Sequence, residues 1–437
     1  MWEKIFKLKE NGTTSKKEFM AGAITFLTMS YILIVNPNIL GQTGMDRNAL
    51  FTATALASIF GTLLMAFLAK IPIAQAPGMG LNNFFATTVV LTMGYSWQFA
   101  LTAVFIEGII FILLTFFNIR ELIVNSIPQT LKNAIPAGIG LFITLLGLQH
   151  AGLVVKNEYT MITLGSFEDP GVWVAVFGLI ITGVLLIRNI HGAILIGILA
   201  GTLLALITGV TRLPENNWIS LPPDIRPIFA QFEWDHILSL DMVIVVFTFL
   251  FVNLFDTVGT LIGVASKAGL ISETGHFPQV KKALFADALG TTFGALLGTS
   301  TVTSYVESAS GVAAGGRTRL TAASTAFFFF LALFLAPLFL TVPGQATAPA
   351  LIIVGLFMIS SVVKINFNDY SESIPAFLTI IMMPFTLSIA QGIIFGMLGF
   401  VLLKLFSGKQ KDITLPVYVI GALFLLKILL DVFHVIN

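Results

Sequence analysis

Apolar residues gather along this chain into windows of about 20, each bounded by Lys, Arg, Asp, Glu or clusters of Gly and Pro, which is the length a helix needs to cross the hydrocarbon of a bilayer. Seven windows, 19–40, 49–69, 71–93, 97–117, 131–154, 171–187 and 193–210, precede a polar stretch at 211–238. Seven follow it, at 239–263, 283–298, 299–314, 320–342, 348–363, 374–390 and 392–406. The stretch 374–406 is divided in two because a single helix of that length would overshoot the membrane. A last apolar run, 415–430, carries Lys427 and is followed by Asp431, so it either spans or lies flat.

Composition agrees with this pattern. Hydrophobic residues make up 56% of the 437 and charged residues only 10%, which excludes a water-soluble globule. A net charge of +1 excludes a nucleic-acid partner, which would need a clustered excess of Lys and Arg. The chain has no cysteine, hence no disulfide, thiolate metal site or thiol nucleophile. With fourteen crossings, eighteen of the 23 basic residues fall on the side that holds the N-terminus, against Arg47, Lys156, Arg212 and Arg226 on the other. The positive-inside rule then makes the N-terminus cytoplasmic. The polar start, 1–17, lacks the short apolar core of a cleaved signal peptide.

The chain also repeats itself. Ala49-Leu50-Phe51, Ala55-Leu56 and Phe60-Gly61-Thr62-Leu63-Leu64 return in order as Ala283-Leu284-Phe285, Ala288-Leu289 and Phe293-Gly294-Ala295-Leu296-Leu297. Thr25-Phe26-Leu27 returns as Thr248-Phe249-Leu250, and Pro136-Ala137 with Gly140-Leu141-Phe142 returns as Pro349-Ala350 with Gly355-Leu356-Phe357. Two halves of seven spans follow. Because seven is odd, the second half starts on the opposite side of the membrane, and the halves form inverted repeats, the architecture of alternating-access transporters with substrate held at broken helices near midplane.

Spans 3 and 10 are the breakage candidates. Pro72 and Ala76-Pro77-Gly78-Met79-Gly80-Leu81-Asn82-Asn83 interrupt the first. The second reads Gly298-Thr299-Ser300-Thr301-Val302-Thr303-Ser304-Tyr305-Val306-Glu307, a β-branched run with poor helix preference. Each is expected to be part strand and part helix, the two strands pairing with each other and the following half-helices aiming their amides at one central point.

Four acids, Glu107, Asp256, Asp287 and Glu307, lie deep in spans with no Lys or Arg in the middle of any span to neutralise them. Buried acids of this kind are candidate proton carriers. Asp256 and Glu307 fall at the proposed crossing. Asp287 sits one turn into span 9 near Lys281 and Lys282, and Glu107 lies in an unbroken span, where a structural or lateral role is expected. Asn82, Asn83 and Asn253 are hydrogen bonders close by, and Phe26, Tyr31, Phe84 and Phe251 are aromatic groups able to stack on a flat ligand or simply to pack. The five histidines, at span ends or in loops, have no metal-ligand spacing. Two carboxylates facing amide-rich half-helices suit a neutral planar molecule with N–H donors on one edge and acceptors on another, such as a purine or pyrimidine base.

The segments Gln75 to Asn82, Asn253 to Leu261, and Gly298 to Ser308 continuing through Gly315-Gly316-Arg317-Thr318 resemble the AzgA-like branch of the nucleobase transporter superfamily, and the similarity runs over essentially the whole chain. The resemblance implies a permease for hypoxanthine, guanine or adenine in the cell membrane, driven by proton symport, with no cofactor. It implies an all-α polytopic fold of fourteen spans in two inverted repeats. The core domain would take 18–117 and 239–342, the gate domain 121–210 and 345–406, with 413–435 as an added C-terminal segment. Substrate binding is implied at Asp256, Glu307, Asn253, Gly80, Leu81, Asn82 and Ser308, and proton coupling at Asp256 and Glu307. Partners are the purine base, the lipid bilayer and, as a candidate, a second copy of the chain. Asn253, Asn83 and Arg319 depart from the branch, where aspartate, alanine and glycine are usual. The first two departures bear on purine preference and coupling.

Alternative readings are an anion exchanger of the same architecture, a permease of the xanthine or uracil type, and an intramembrane enzyme. An anion exchanger should place a basic group at the crossing, where two acids stand instead. An enzyme would need a nucleophile with a base, or a metal set, inside the spans, and the buried inventory offers neither.

Overall fold

The computed structural model describes residues 6–117, 128–157, 159–213, 218–270 and 277–436, and its elements are mostly helices. Among the described residues, eight helical stretches are long and apolar enough to cross a membrane: Ser15–Thr43, Arg47–Ala69, Trp97–Phe116, Gln129–His150, Pro170–Ile187, Leu240–Val258, Arg319–Leu340 and Gly344–Lys364. Ala193–Ile207 and Gln391–Phe406 are shorter apolar helices. Two compact units divide the chain, one of residues 1–116 with 146–352, the other of residues 117–145 with 353–437.

The first unit opens with α1 (Ser15–Met29), capped by the Thr14 hydroxyl, which accepts from the Lys17 amide at 3.3 Å. The helix ladder is interrupted at Ser30 and Tyr31, and α2 (Ile32–Leu40) completes the first predicted span. Asp46 caps α3 (Arg47–Leu64) by accepting from the Ala49 amide at 2.7 Å. The predicted third span is strand β1 (Gln75–Pro77), then α4 (Met79–Asn83), which widens into a π-helix over Phe84–Thr92. After α5 (Trp97–Phe116) comes α6 (Gln129–His150), divided between the two units after residue 145; it stops at His150, short of the fifth window's expected end at residue 154, where a hairpin of β2 (Val154–Asn157) and β3 (Met161–Leu164) begins. The pair α7 (Pro170–Ile187) and α8 (Ala193–Ile207) precedes the long α9 (Leu240–Lys267) and α10 (Val280–Leu297).

Gly298, at φ +91°, ends α10 in the left-handed region, and the hydroxyl-rich run beyond it stays extended. It becomes β4 (Val302–Ser304), followed by α11 (Ser308–Ala313), α12 (Arg319–Ala332), α13 (Ala336–Leu340) and α14 (Gly344–Ile359). As expected for spans 3 and 10, β1 and β4 pair antiparallel, with Gln75 opposite Ser304, Ala76 opposite Thr303 and Pro77 opposite Val302. Repeat mates meet around this pair. The rings of Phe60 and Phe293 lie 3.9 Å apart, and Val302 fits against glycines of both α3 and α10. A methyl on Gly294 would come within 2.7 Å of the Val302 side chain, and one on Gly61 within 3.2 Å.

In the second unit, α15 (Tyr370–Phe385) and α16 (Ile389–Phe406) are separate helices joined at residues 386–388, as the length argument required. Asp369 caps α15 by accepting from the Ser371 amide at 3.0 Å, and the Ser371 hydroxyl with the Lys409 ammonium holds its carboxyl down at about 2. Lys404, almost wholly buried, pairs with Glu372 at 2.8 Å and Asp412 at 3.1 Å. The C-terminal run forms α17 (Leu415–Ile436).

Close helix contact in the first unit depends on missing side chains. A methyl on Gly108 of α5 would stand 2.8 Å from the backbone nitrogen of Thr292 on α10, whereas one on Gly183 meets open space. Gly108→Ala should therefore destabilise the protein by about 1–3 kcal/mol, and Gly183→Ala by no more than about 0.5 kcal/mol. Thermal unfolding in detergent compares the two.

Candidate functional site

The strand pair is closed at both ends by bonds that continue its ladder. The Gly78 amide donates to the Thr301 carbonyl at 2.9 Å, the Tyr305 amide to the Ala74 carbonyl at 3.0 Å, and the Ala74 amide to the Ser308 hydroxyl at 3.0 Å. The Tyr305 phenol donates to the carbonyl of Pro77, and the Thr291 hydroxyl to that of Val302 at 2.8 Å. These bonds satisfy extended backbone that no water would reach in a membrane interior.

The two acids singled out by sequence both border this pair. Asp256 of α9 faces Gly78, where a methyl would stand 3.8 Å from its Oδ2 and only 2.6 Å from Thr303 Cγ2, so that no side chain fits between strand and acid. Among the described residues no hydrogen-bond donor or ion pair engages the Asp256 carboxylate. Glu307 stands at the N-cap position of α11, where its side chain makes no capping bond and accepts instead from the Tyr31 phenol at 2.5 Å. Tyr31 reaches it because the first span is interrupted beside it. Asp256 is within electrostatic reach of Glu307 and of Asp287, and both Asp256 and Glu307 keep partial accessibility while the strands around them are buried.

The remaining candidates fall into two groups. Gly80, Leu81 and Asn82 form the first turn of α4, all buried, and the Asn82 carbonyl accepts from Ser300 while its amide nitrogen has no partner among the described residues. Asn83 donates back to the Met79 carbonyl at 2.9 Å. Ser308 accepts from the Ala74 backbone and thus serves the ladder. Asn253 stands behind the strands, with its amide nitrogen donating to Glu107 at 2.9 Å and its oxygen accepting from Thr257 at 2.9 Å. Asp287 turns inward, accepting from Gln75 at 3.1 Å and Thr257 at 2.9 Å. Of the aromatic candidates, Phe84 packs edge-on against Phe249 and Phe26 against Phe328 and Phe329. Sequence reasoning missed Gln75, Thr257, Thr301 and Tyr305, whose role depends on pairings between distant segments. The signal available was the density of hydroxyls around Thr299 to Ser304.

Residues 16–395 match the family Xan_ur_permease, described as a permease family. Adenine permease AdeP of Escherichia coli is 44% identical, covering 98% of this chain and 96% of its own. Guanine/hypoxanthine permease PbuG of Bacillus subtilis is 45% identical, covering 97% of this chain and 98% of its own. Among solved structures, the transmembrane domain of the cyanobacterial bicarbonate transporter BicA superposes with a TM-score of 0.65 at 14% identity, over 86% of this chain and 97% of that one, a likeness of fold.

Tyr31→Phe removes the donor that Glu307 uses. The loss of one hydrogen bond to a partly buried carboxylate should lower stability by about 1–3 kcal/mol, read as a lower unfolding midpoint in detergent than that of the parent chain.

Proposed function

Because the chain belongs to the Xan_ur_permease family, we propose that it imports purine nucleobases, adenine, guanine or hypoxanthine, as a secondary-active transporter. It is a membrane transporter and not an enzyme. One observation carries the site assignment: the Asp256 carboxylate has no protein donor among the described residues, and it borders discontinuous backbone within electrostatic reach of Glu307. A purine offers N–H donors to such acceptors, and its ring nitrogens or carbonyl can accept from the first-turn amides at Gly80 and Leu81, which lie outside the helix ladder. Asn82 adds a buried amide nitrogen without a protein partner among the described residues.

In this reading the chain crosses the cell membrane fourteen times, as two inverted halves, with its N-terminus in the cytoplasm. The core domain, 18–117 with 239–342, moves against the gate domain, 121–210 with 345–406, and a proton on Asp256 or Glu307 travels with the base. The likeness to a bicarbonate transporter bears on fold alone, and two acids with no basic partner among the described residues speak against an anion in this site.

Cells that lack their own purine uptake and express the chain should accumulate labelled hypoxanthine, guanine or adenine, more at pH 6 than at pH 8. Xanthine and uracil should compete poorly. Glu307→Gln should abolish accumulation. Undiminished, pH-dependent uptake by that variant removes Glu307 from the mechanism.

A further inference from the structure

We propose that Glu107 is a positioning residue of the transport site: from α5, behind the strand pair, it closes a ring that ties the α9 face bearing Asp256 to the strand segment bearing Gly78, which Asp256 faces. This rests on the purine reading for its substrate. Each carboxylate oxygen of Glu107 is engaged by a different part of the site. Oε1 accepts from Asn253 Nδ2 at 2.9 Å, and Oε2 accepts from Thr301 Oγ1 at 2.6 Å. Asn253 lies three residues before Asp256 on α9, which places the two on one face of that helix. Thr301 accepts through its own carbonyl from the amide of Gly78, at 2.9 Å, and Gly78 is the residue that Asp256 faces. The path from Glu107 through Asn253, Asp256, Gly78 and Thr301 therefore returns to Glu107.

The closing position needs two hydrogen-bonding atoms on one planar group. Glu107 and Asn253 are both fully buried, and an ionisable group is the costliest way to fill such a position. A carboxylate offers two acceptor oxygens and no obligatory donor. Facing it, Asn253 must present its nitrogen, which leaves its oxygen for Thr257, and Thr301 must present its proton. Thr257 in turn lies 2.8 Å from Thr303 of β4. Asp256 is thus flanked along α9 by two links to the β4 segment, one through Glu107 and one direct. A leucine of similar volume at 107 would keep the packing and lose both bonds. A glutamine would keep both, its oxygen accepting from Asn253 and its nitrogen donating to Thr301.

The test compares purine uptake kinetics for chains of measured abundance in the membrane. Glu107→Leu should raise KM at least tenfold while the maximal rate per transporter falls less than threefold, and Glu107→Gln should keep KM within threefold of the parent. Asn253→Asp places two carboxylates in the contact, which then stays closed only with one shared proton. Its uptake should fall more steeply than the parent's between pH 6 and pH 8, and adding Glu107→Gln should remove the extra fall. The nearby acids Asp256 and Asp287 are common to all these chains. An unchanged KM in Glu107→Leu, a Glu107→Gln as impaired as Glu107→Leu, or an unchanged pH profile in Asn253→Asp overturns the proposal. Should the parent carry no purine at all, the purine reading fails and hydrogen exchange in detergent decides the ring by itself. Amides of Gln75, Ala76 and Gly78 and of 302–305 should exchange at least tenfold faster in Glu107→Leu than in the parent or Glu107→Gln, and equal exchange in all three sinks it.

Discussion

Extended backbone has no place in hydrocarbon unless every N–H and C=O finds a partner, and the antiparallel pairing of β1 with β4 answers that demand. Helices satisfy themselves one segment at a time, but a strand depends on a neighbour. The neighbour here is a stretch far along the chain, so one interruption is tolerable only because the other is there to pair with it. Gly78, Ala74, Val302 and Pro77 are all satisfied across this seam, by backbone or by the side chains of Ser308, Thr291 and Tyr305. The breaks then leave the buried first turn of α4 and Glu307 at the start of α11 beside the seam.

Around the seam the polar side chains divide into two layers of opposite character. Behind it, Glu107, Asn253, Thr257, Asp287 and Gln75 are buried and bonded to one another, a layer whose interest is rigidity. Beside it, Asp256 and Glu307 keep partial accessibility, and Asp256 has acceptor capacity that no described protein group uses. Accessibility and the donors already in place divide the acids the same way, with Glu107 and Asp287 buried and bonded and Asp256 partly accessible and without a donor among the described residues.

Much of this was legible in the sequence because the bilayer leaves few options. The proline of Ala76-Pro77-Gly78 and the β-branched run from Thr299 to Thr303 announced the two strands, and colinear matches such as Phe60-Gly61 with Phe293-Gly294 announced that they would meet. Asp256 and Glu307 stood out because an unpaired acid in a span is costly. What stayed hidden depends on contacts between segments far apart in the chain. The bond from Asn253 to Glu107 joins residues separated by 146 positions, and nothing local to either distinguishes an amide that supports from one that binds. The interruption at Ser30 and Tyr31 carries no proline or glycine, and the widening of the helix at Phe84–Thr92 has no sequence cue that we recognise. Only the end of α6 was misplaced there, because residues 151–154 are apolar enough to be counted with the helix before them, while the hairpin that begins at Val154 lay outside any expected span.

The seat of Val302 is drawn from both halves, with Gly61 on α3 and Gly290 and Gly294 on α10 each leaving room for the same side chain. Gly61, Gly290, Gly294 and Val302 are thereby held to a common volume, so that bulk added at any one of them has to be given up at another, however far apart they stand in the chain.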